Sequence, residues 1–306
     1  MSPVLPACCF PARYTAWSDR SPGVGIRNRE GKPLSIRQGP RLTALVLCAA
    51  LVGCTKPEVE PDTHEMLNAA LWTQSSAEYP AIARQTYRLA RVNLDQALAD
   101  PRWTAALEQT GDAAALPPAI IADLDETILD NTSYEVRIIR RLGSYAPESF
   151  ADWCREVNAP AIPGAREFLD YTAAHGVAVF YYSARKASLR ECTTRNLRYL
   201  QLPFPDETRL LLADGVSKSE YRARLAGQYR ILLLLGDNLE DFVSGSMTGS
   251  SIRNELATRY AERWGREWIV LPNPMYGHWE AAAYGFDYRL PRPEQLRRKL
   301  LMLQER

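Results

Sequence analysis

Four short segments, far apart along the 306-residue chain, carry side chains that together could move a phosphoryl group. They are Asp123-Leu124-Asp125-Glu126-Thr127 with Asp130-Asn131 behind it, Ser183-Ala184-Arg185-Lys186, the single Lys218, and Gly236-Asp237-Asn238-Leu239-Glu240-Asp241. A carboxylate is a competent nucleophile toward phosphorus and forms an acyl phosphate, a role open to Asp123. Asp125, two residues on, could give a proton to the departing oxygen. Two carboxylates would repel a phosphate dianion unless a cation sat between them. Asp237 adds another carboxylate, and oxygen donors with no sulfur or imidazole among them favour magnesium. Lys218 could balance charge that spreads over phosphoryl oxygens in the transition state, and Ser183 could donate a hydrogen bond to them.

Singly, each residue has an ordinary explanation: a carboxylate solvated in a loop, a lysine on a surface, a serine capping a helix. Their combination rests on the elements that would carry them. Ala119–Ala122, Val177–Tyr182, Leu210–Leu212, Ile231–Leu235 and Trp268–Leu271 are apolar runs without polar alternation. Between them, Gly164–His175, Leu189–Tyr199, Ser219–Gly227 and Ser251–Trp264 read as helices. Unalternating strands separated by helices imply a parallel sheet covered on both faces, an α/β doubly wound fold. In such sheets ligands bind beyond the carboxyl ends of the strands, which is where all four segments fall. Apolar residues at helical spacing from Met66 to Ala99, interrupted by Pro80, predict two further helices broken at the proline. A calcium-binding protein would also use acidic loops, but it has no need of the lysine, and the EF-hand spacing is absent.

Composition is that of an ordinary globular protein, with 46% apolar and 24% charged residues. The net charge of +1 conceals an asymmetry: residues 1–53 carry +5 and the remainder −4. A mildly acidic body lacks the basic footprint of a polymeric nucleic-acid binder, which excludes that partner class. Arg41 precedes the apolar run Leu42–Gly53, too short for a membrane-spanning helix and suited to a secretory signal. Leu51-Val52-Gly53-Cys54 resembles a bacterial lipobox, which would make Cys54 the lipidated mature N-terminus. The polar, Pro-rich stretch that follows suits a tether. The forty residues before the apolar run are long for a signal, so translation is expected to start at a non-Met codon near Val24 or Leu34. The expected organisation is a leader over 1–53 with its lipobox at 51–54, a tether over 54–65, and one catalytic unit over 66–306. That unit comprises N-terminal helices (66–112) and a core (117–290) with an insert at 132–163. Of six cysteines, cleavage would leave Cys54, Cys154 and Cys192; the last two are expected to be free buried thiols. Three scattered histidines offer no zinc site.

Taken in order, the four segments resemble the motifs of the haloacid dehalogenase (HAD) superfamily. Within it, the chain resembles the bacterial class C acid phosphatases, the lipoprotein e type 5′-nucleotidases. Leu71–Tyr79, Ala122–Asn131, Ile162–Ala165, Gly236–Phe242 and Leu271–Glu280 carry that resemblance. It implies a phosphomonoesterase with Asp123 as nucleophile and Asp125 as acid/base. It also implies Mg2+ held by Asp123, the Asp125 carbonyl and Asp237, with Asp241 near or behind it. Arg185 would help grip phosphate. The family commonly has Asn where Ala184 stands, a departure that bears on substrate preference or metal support. The anchor would be in the bacterial outer membrane, since Thr55 rather than Asp follows Cys54.

The leaving group needs a pocket, and aromatic residues follow the last strand (Tyr276, Trp279) and occupy the insert (Tyr145, Phe150, Trp153). In similar enzymes rings from these regions stack the substrate, which assigns Tyr276 well and Tyr145 loosely; insert aromatics more often pack a small core. A stacking slot accepts nucleoside monophosphates and aryl phosphates alike. Two other readings compete: phosphotransfer through the same aspartyl-phosphate, and a surface lipoprotein that binds without catalysing. A dehalogenase is disfavoured, because halide needs no acid such as Asp125. The expected partners are a small phosphomonoester and a membrane reached through lipid, with homodimerisation open.

Overall fold

The five apolar runs are strands of one parallel sheet: β1 (Pro118–Asp123), β2 (Ala178–Lys186), β3 (Leu210–Ala213), β4 (Arg230–Gly236) and β5 (Trp268–Val270). Their order is β3-β2-β1-β4-β5, so the chain winds outward from β1 through β2 to β3, then returns to β4 and β5 on the other side. β1 and β4 are therefore neighbours across the point where the winding reverses, the position at which open α/β sheets form a crevice. The computed structural model describes residues 63–203, 206–213 and 215–304; the leader, the lipobox with Cys54 and the tether up to residue 62 lie outside the described residues.

The helices are α1 (Leu67–Ser75), α2 (Glu78–Ala99), α3 (Thr132–Arg140), α4 (Pro147–Glu156), α5 (Ala165–Ala174), α6 (Arg190–Tyr199), α7 (Lys218–Ala226), α8 (Ser250–Arg259), α9 (His278–Ala281) and α10 (Arg292–Met302). Alternate residues of β1 enter two different cores. Ile120 and Ala122 join residues of α2, α5 and α6, while Ala119 and Ile121 join α7 and the Phe242–Trp268 aromatic group. Both faces are thus buried, which is why the strands read as unbroken apolar runs. Between β1 and β4 the register slips: Ala119 faces Ile231, but Ile120 faces Leu233. The extra residue, Leu232, is a bulge whose carbonyl accepts the indole N–H of Trp103 at 2.8 Å. Among the described residues no helix is long and apolar enough to cross a membrane.

Three expectations change in detail. The break between the first two helices lies at Ser76-Ala77 rather than at Pro80. Pro80 is the third residue of α2, inside the first turn, where a missing N–H forfeits no helical bond. The Ser76 hydroxyl accepts the Tyr79 N–H there at 3.1 Å. Second, β2 does not stop at Tyr182 but runs to Lys186. Its pairing with β3 skips between Ser183 and Lys186, so Ser183 and Arg185 lie within a strand edge and not in a loop. Third, Cys154 and Cys192 are not free thiols: they form a disulfide, with Cα atoms 5.6 Å apart. Thirty-eight residues separate them in sequence, so only the packing of α4 against α6 brings them within bonding range.

The entry to α5 is set by Gly164, whose φ is +95°. A Cβ there would sit 3.2–3.3 Å from Tyr87 and from the backbone of Arg84 on α2. Tyr87 is buried and its hydroxyl donates to the carbonyl of Thr127 at 2.5 Å, which ties α2 to the turn after β1. Gly164→Ala must strain the backbone and displace Tyr87, and is expected to lower unfolding free energy by about 2 kcal/mol. Urea titration with an unchanged slope checks this, and an unchanged midpoint would contradict it.

Candidate active site

β1 ends on Asp123, which is only 4% exposed. α7 begins on Lys218, and its start is fixed by a reciprocal cap. The Ser217 hydroxyl accepts the Glu220 N–H, and the Glu220 carboxylate accepts the Ser217 N–H. That cap aims the Lys218 side chain back across the sheet end. Its ammonium donates to Asp123 Oδ1 at 2.5 Å and also to Asp241, and lies 4.6 Å from the Tyr182 ring centre.

β4 ends on Gly236, followed by Asp237 and a 3-10 turn, Leu239–Asp241. The Asp241 side chain is fully buried and folds back onto the strand end, where the Asn238 N–H donates to Oδ2 at 2.9 Å. A Cβ on Gly236 would lie 2.2–2.4 Å from Asp241 atoms, so the carboxylate occupies the space that any side chain would take. Asp237 accepts from the amide of Asn273 at 2.8 Å, and Asn273 is itself oriented by accepting the Met275 N–H at 3.0 Å. Asp123, Asp237 and Asp241 each present an oxygen, and the three lie within 4.8 Å of one another.

Three carboxylates against one ammonium leave an excess of negative charge in a buried place. Burial pushes the Asp123 carboxyl well above the usual carboxylate range; Lys218 opposes this, while Asp241, Asp237 and Asp125 add to it. Burial and Asp241 likewise raise Asp237. Burial opposes the charge on Lys218, but Asp123 and Asp241 outweigh it and hold the ammonium strongly protonated. Such a group of hard oxygens, short of positive charge, fits a divalent cation bound by Asp123, Asp237 and Asp241. The carboxylate of Asp125 is outside this group.

Asp125 instead sits in a cradle of donors. It receives the Ser183 hydroxyl at 2.9 Å, the Asn131 amide at 2.7 Å, and Arg185 through Nη2 at 2.7 Å and Nε at 3.0 Å. Burial would raise its pKa, but the charge and hydrogen bonds of Arg185, with those of Ser183 and Asn131, bring it below the usual value. Ser183 and Arg185, expected to face phosphate oxygens, thus spend their donors on Asp125. Arg185 is 5% exposed and gives its remaining N–H groups to Thr193 at 3.0 Å, Asn131 at 3.3 Å and the Cys154 sulfur at 3.6 Å. Ala184 is exposed on the same strand.

Two residues absent from the sequence-based assignment shape the turn. Glu126 has φ +58°, a left-handed conformation unusual for a residue with a side chain. Its buried carboxylate accepts the Asn131 N–H at 2.8 Å, the Asn131 amide at 3.1 Å, and the hydroxyl of Tyr276. Asn131 thereby joins both acidic residues of the turn. Each stands inside or just behind the first acidic motif, so the signal was present, but their partners were not readable from it. Tyr276 is half-buried, whereas Tyr145 is 61% exposed and packs against Tyr134 and Phe150. Phe150 and Trp153 are buried, as packing aromatics of the insert would be, and Trp279 is exposed.

Residues 41–279 match the family model of HAD superfamily, subfamily IIIB (acid phosphatase). The chain is similar in structure to the class C acid phosphatase from Bacillus anthracis, with 32% identity and a TM-score of 0.72. That match covers 79% of this chain and 97% of the other. A second structure of the Bacillus anthracis class C acid phosphatase, with tungstate bound, matches at 32% identity and a TM-score of 0.71 over the same shares.

Glu135 on α3 lies close to this site, 6% exposed, and its backbone N–H donates to the Asn131 carbonyl at 3.3 Å. Burial, with Glu280 and Asp125 nearby, pushes its carboxyl up to about 8 from 4.5. Because the folded-state value is the higher one, its contribution to stability is complete below about pH 4.5 and is lost as pH rises through about 8. Glu135→Gln is therefore expected to stabilise the protein by about 2 kcal/mol or more at about pH 9, and much less at about pH 4.5. Urea titrations at both values check this, and an equal shift at both would contradict it.

Proposed function

The chain belongs to the acid phosphatases of HAD subfamily IIIB and is a phosphatase hydrolase, and on that premise we propose a specific enzyme. It hydrolyses phosphomonoesters, nucleoside monophosphates and aryl phosphates among them, through a phosphoryl group carried on Asp123. It requires Mg2+, and it works tethered to the bacterial outer membrane by lipid on Cys54. The observation that carries the chemistry is the ammonium of Lys218 joined to both Asp123 and Asp241, with Asp237 within reach of the same point.

In this reading an oxygen of Asp123 attacks phosphorus, and the bond from phosphorus to the ester oxygen breaks with its electron pair going to that oxygen. Lys218 opposes the rise that burial imposes on the Asp123 carboxyl, favouring its attacking, ionised form, and faces the charge that develops on the phosphoryl oxygens. Asp125 gives its proton to the departing alcohol, then takes one from the water that attacks the aspartyl-phosphate and restores Asp123. Arg185, Ser183 and Asn131 favour the ionised form of Asp125, the form that takes the proton from the attacking water. Asp123, Asp237 and Asp241, with the Asp125 carbonyl, would hold a divalent ion, which would supply positive charge for the approach of a phosphate dianion. Tyr276 and, from the rim, Tyr145 offer ring faces to the leaving group. Stacking on such faces is worth about 1–3 kcal/mol per base and tolerates any flat ring.

Hydrolysis of p-nitrophenyl phosphate is expected to be abolished by EDTA and restored by Mg2+; activity untouched by the chelator would overturn the metal requirement. Asp123→Asn should retain less than about one-thousandth of the parental kcat/KM, and retention above about one-tenth would remove Asp123 as nucleophile. Cys54→Ala should move the protein from the membrane to the soluble fraction without changing kcat.

A further inference from the structure

We propose that the Cys154–Cys192 disulfide is a positioning strap for Arg185, so that Asp125 is correctly seated only in the oxidised protein; this rests on Asp125 being the acid/base proposed above. Arg185 is walled by two helices. α4 presents Phe150, Trp153 and Cys154 on one helical face: the Phe150 ring centre lies 5.3 Å from the guanidinium carbon, and Cys154 Sγ lies 3.6 Å from Nη1. Trp153 donates at 3.3 Å to the same Asn131 oxygen that receives Arg185 Nη2. α6 supplies Thr193, the neighbour of Cys192, whose hydroxyl accepts Arg185 Nη1 at 3.0 Å. The sulfur that touches Arg185 is thus one half of the covalent link between the two walls.

Across that seam Asn196 donates to the Ala159 carbonyl at 2.8 Å and accepts the Ala159 N–H at 3.2 Å. These bonds do not involve the sulfurs, so opening the disulfide is expected to loosen the wall around Arg185 without unfolding the protein. A dithiol reductant breaks the sulfur–sulfur bond and leaves two electrons and two protons on the pair of cysteines. The reductant becomes its own disulfide. With the wall loosened, the guanidinium no longer holds the Asp125 carboxyl in one orientation, and proton transfer to the leaving oxygen suffers while the nucleophile and its lysine are untouched.

Two aryl phosphates that differ by a para nitro group read this out. Phenolate leaves poorly without a proton, whereas p-nitrophenolate scarcely needs one. After dithiothreitol, with two thiols titrated and circular dichroism unchanged, kcat/KM for phenyl phosphate is expected to fall about tenfold or more. That for p-nitrophenyl phosphate should fall less than about threefold. The Cys154→Ala/Cys192→Ala variant should show the same split without reductant and no further change with it. Arg185→Lys should show the split too, and reducing that variant should add little, because the two changes act through one contact. Equal losses for both substrates, no loss with both thiols titrated, or losses that multiply in the reduced Arg185→Lys protein would each overturn the strap. Asp125→Asn in the oxidised protein separates the two ideas. If it leaves the ratio of the two substrates unchanged, the acid/base reading of Asp125 fails; if it shifts that ratio strongly while reduction does not, only the strap fails.

Discussion

The site is organised by the mutual repulsion of three carboxylates gathered at the ends of two neighbouring strands. Asp123, Asp237 and Asp241 come within 4.8 Å of one another in a place largely shielded from water, where unbalanced charge is expensive. One ammonium is built into the answer, and it is held there by a helix start whose cap is satisfied on both sides. The positive charge still missing there suits a divalent cation. Gly236 belongs to the same arrangement, because a side chain there would occupy the volume of the Asp241 carboxylate.

Asp123 and Asp125 are two residues apart and electrically opposite. The first is crowded by other carboxylates and pushed up; the second is surrounded by donors and held down. A single turn after β1 produces both environments by ending the strand at Asp123 and placing Glu126 in a left-handed conformation. Asn131 fixes the return of that turn by bonding to Asp125 and Glu126 at once. Two carboxyl groups two residues apart thus have opposite electrostatic surroundings. Tyr276 is linked to the same turn through its hydroxyl, which donates to Glu126.

The fold was largely legible in advance. A strand covered on both faces needs no polar alternation, so the five apolar runs announce a doubly covered parallel sheet, and the motifs after them announce its active edge. Pro80 falls in the first turn of α2 instead of breaking a helix, a difference that an isolated proline in a sequence does not reveal. The reach of β2 past Ser183 was hidden for a related reason: the polar residues Ser183, Arg185 and Lys186 look like a loop, and only the skip in pairing with β3 lets them remain in a strand.

Residue type and order alone determined which groups could meet at the sheet's edge, because chain direction in a parallel α/β sheet brings every strand exit to one side. What Arg185 and Ser183 bind was decided by packing: their donors could equally reach an incoming anion or a neighbouring carboxylate, and both meet Asp125, with Arg185 held there by the α4 and α6 walls. The disulfide was decided in the same way. Cysteine bonding depends on a separation of a few ångströms between residues 38 apart in sequence, and that distance exists only once the helices have docked.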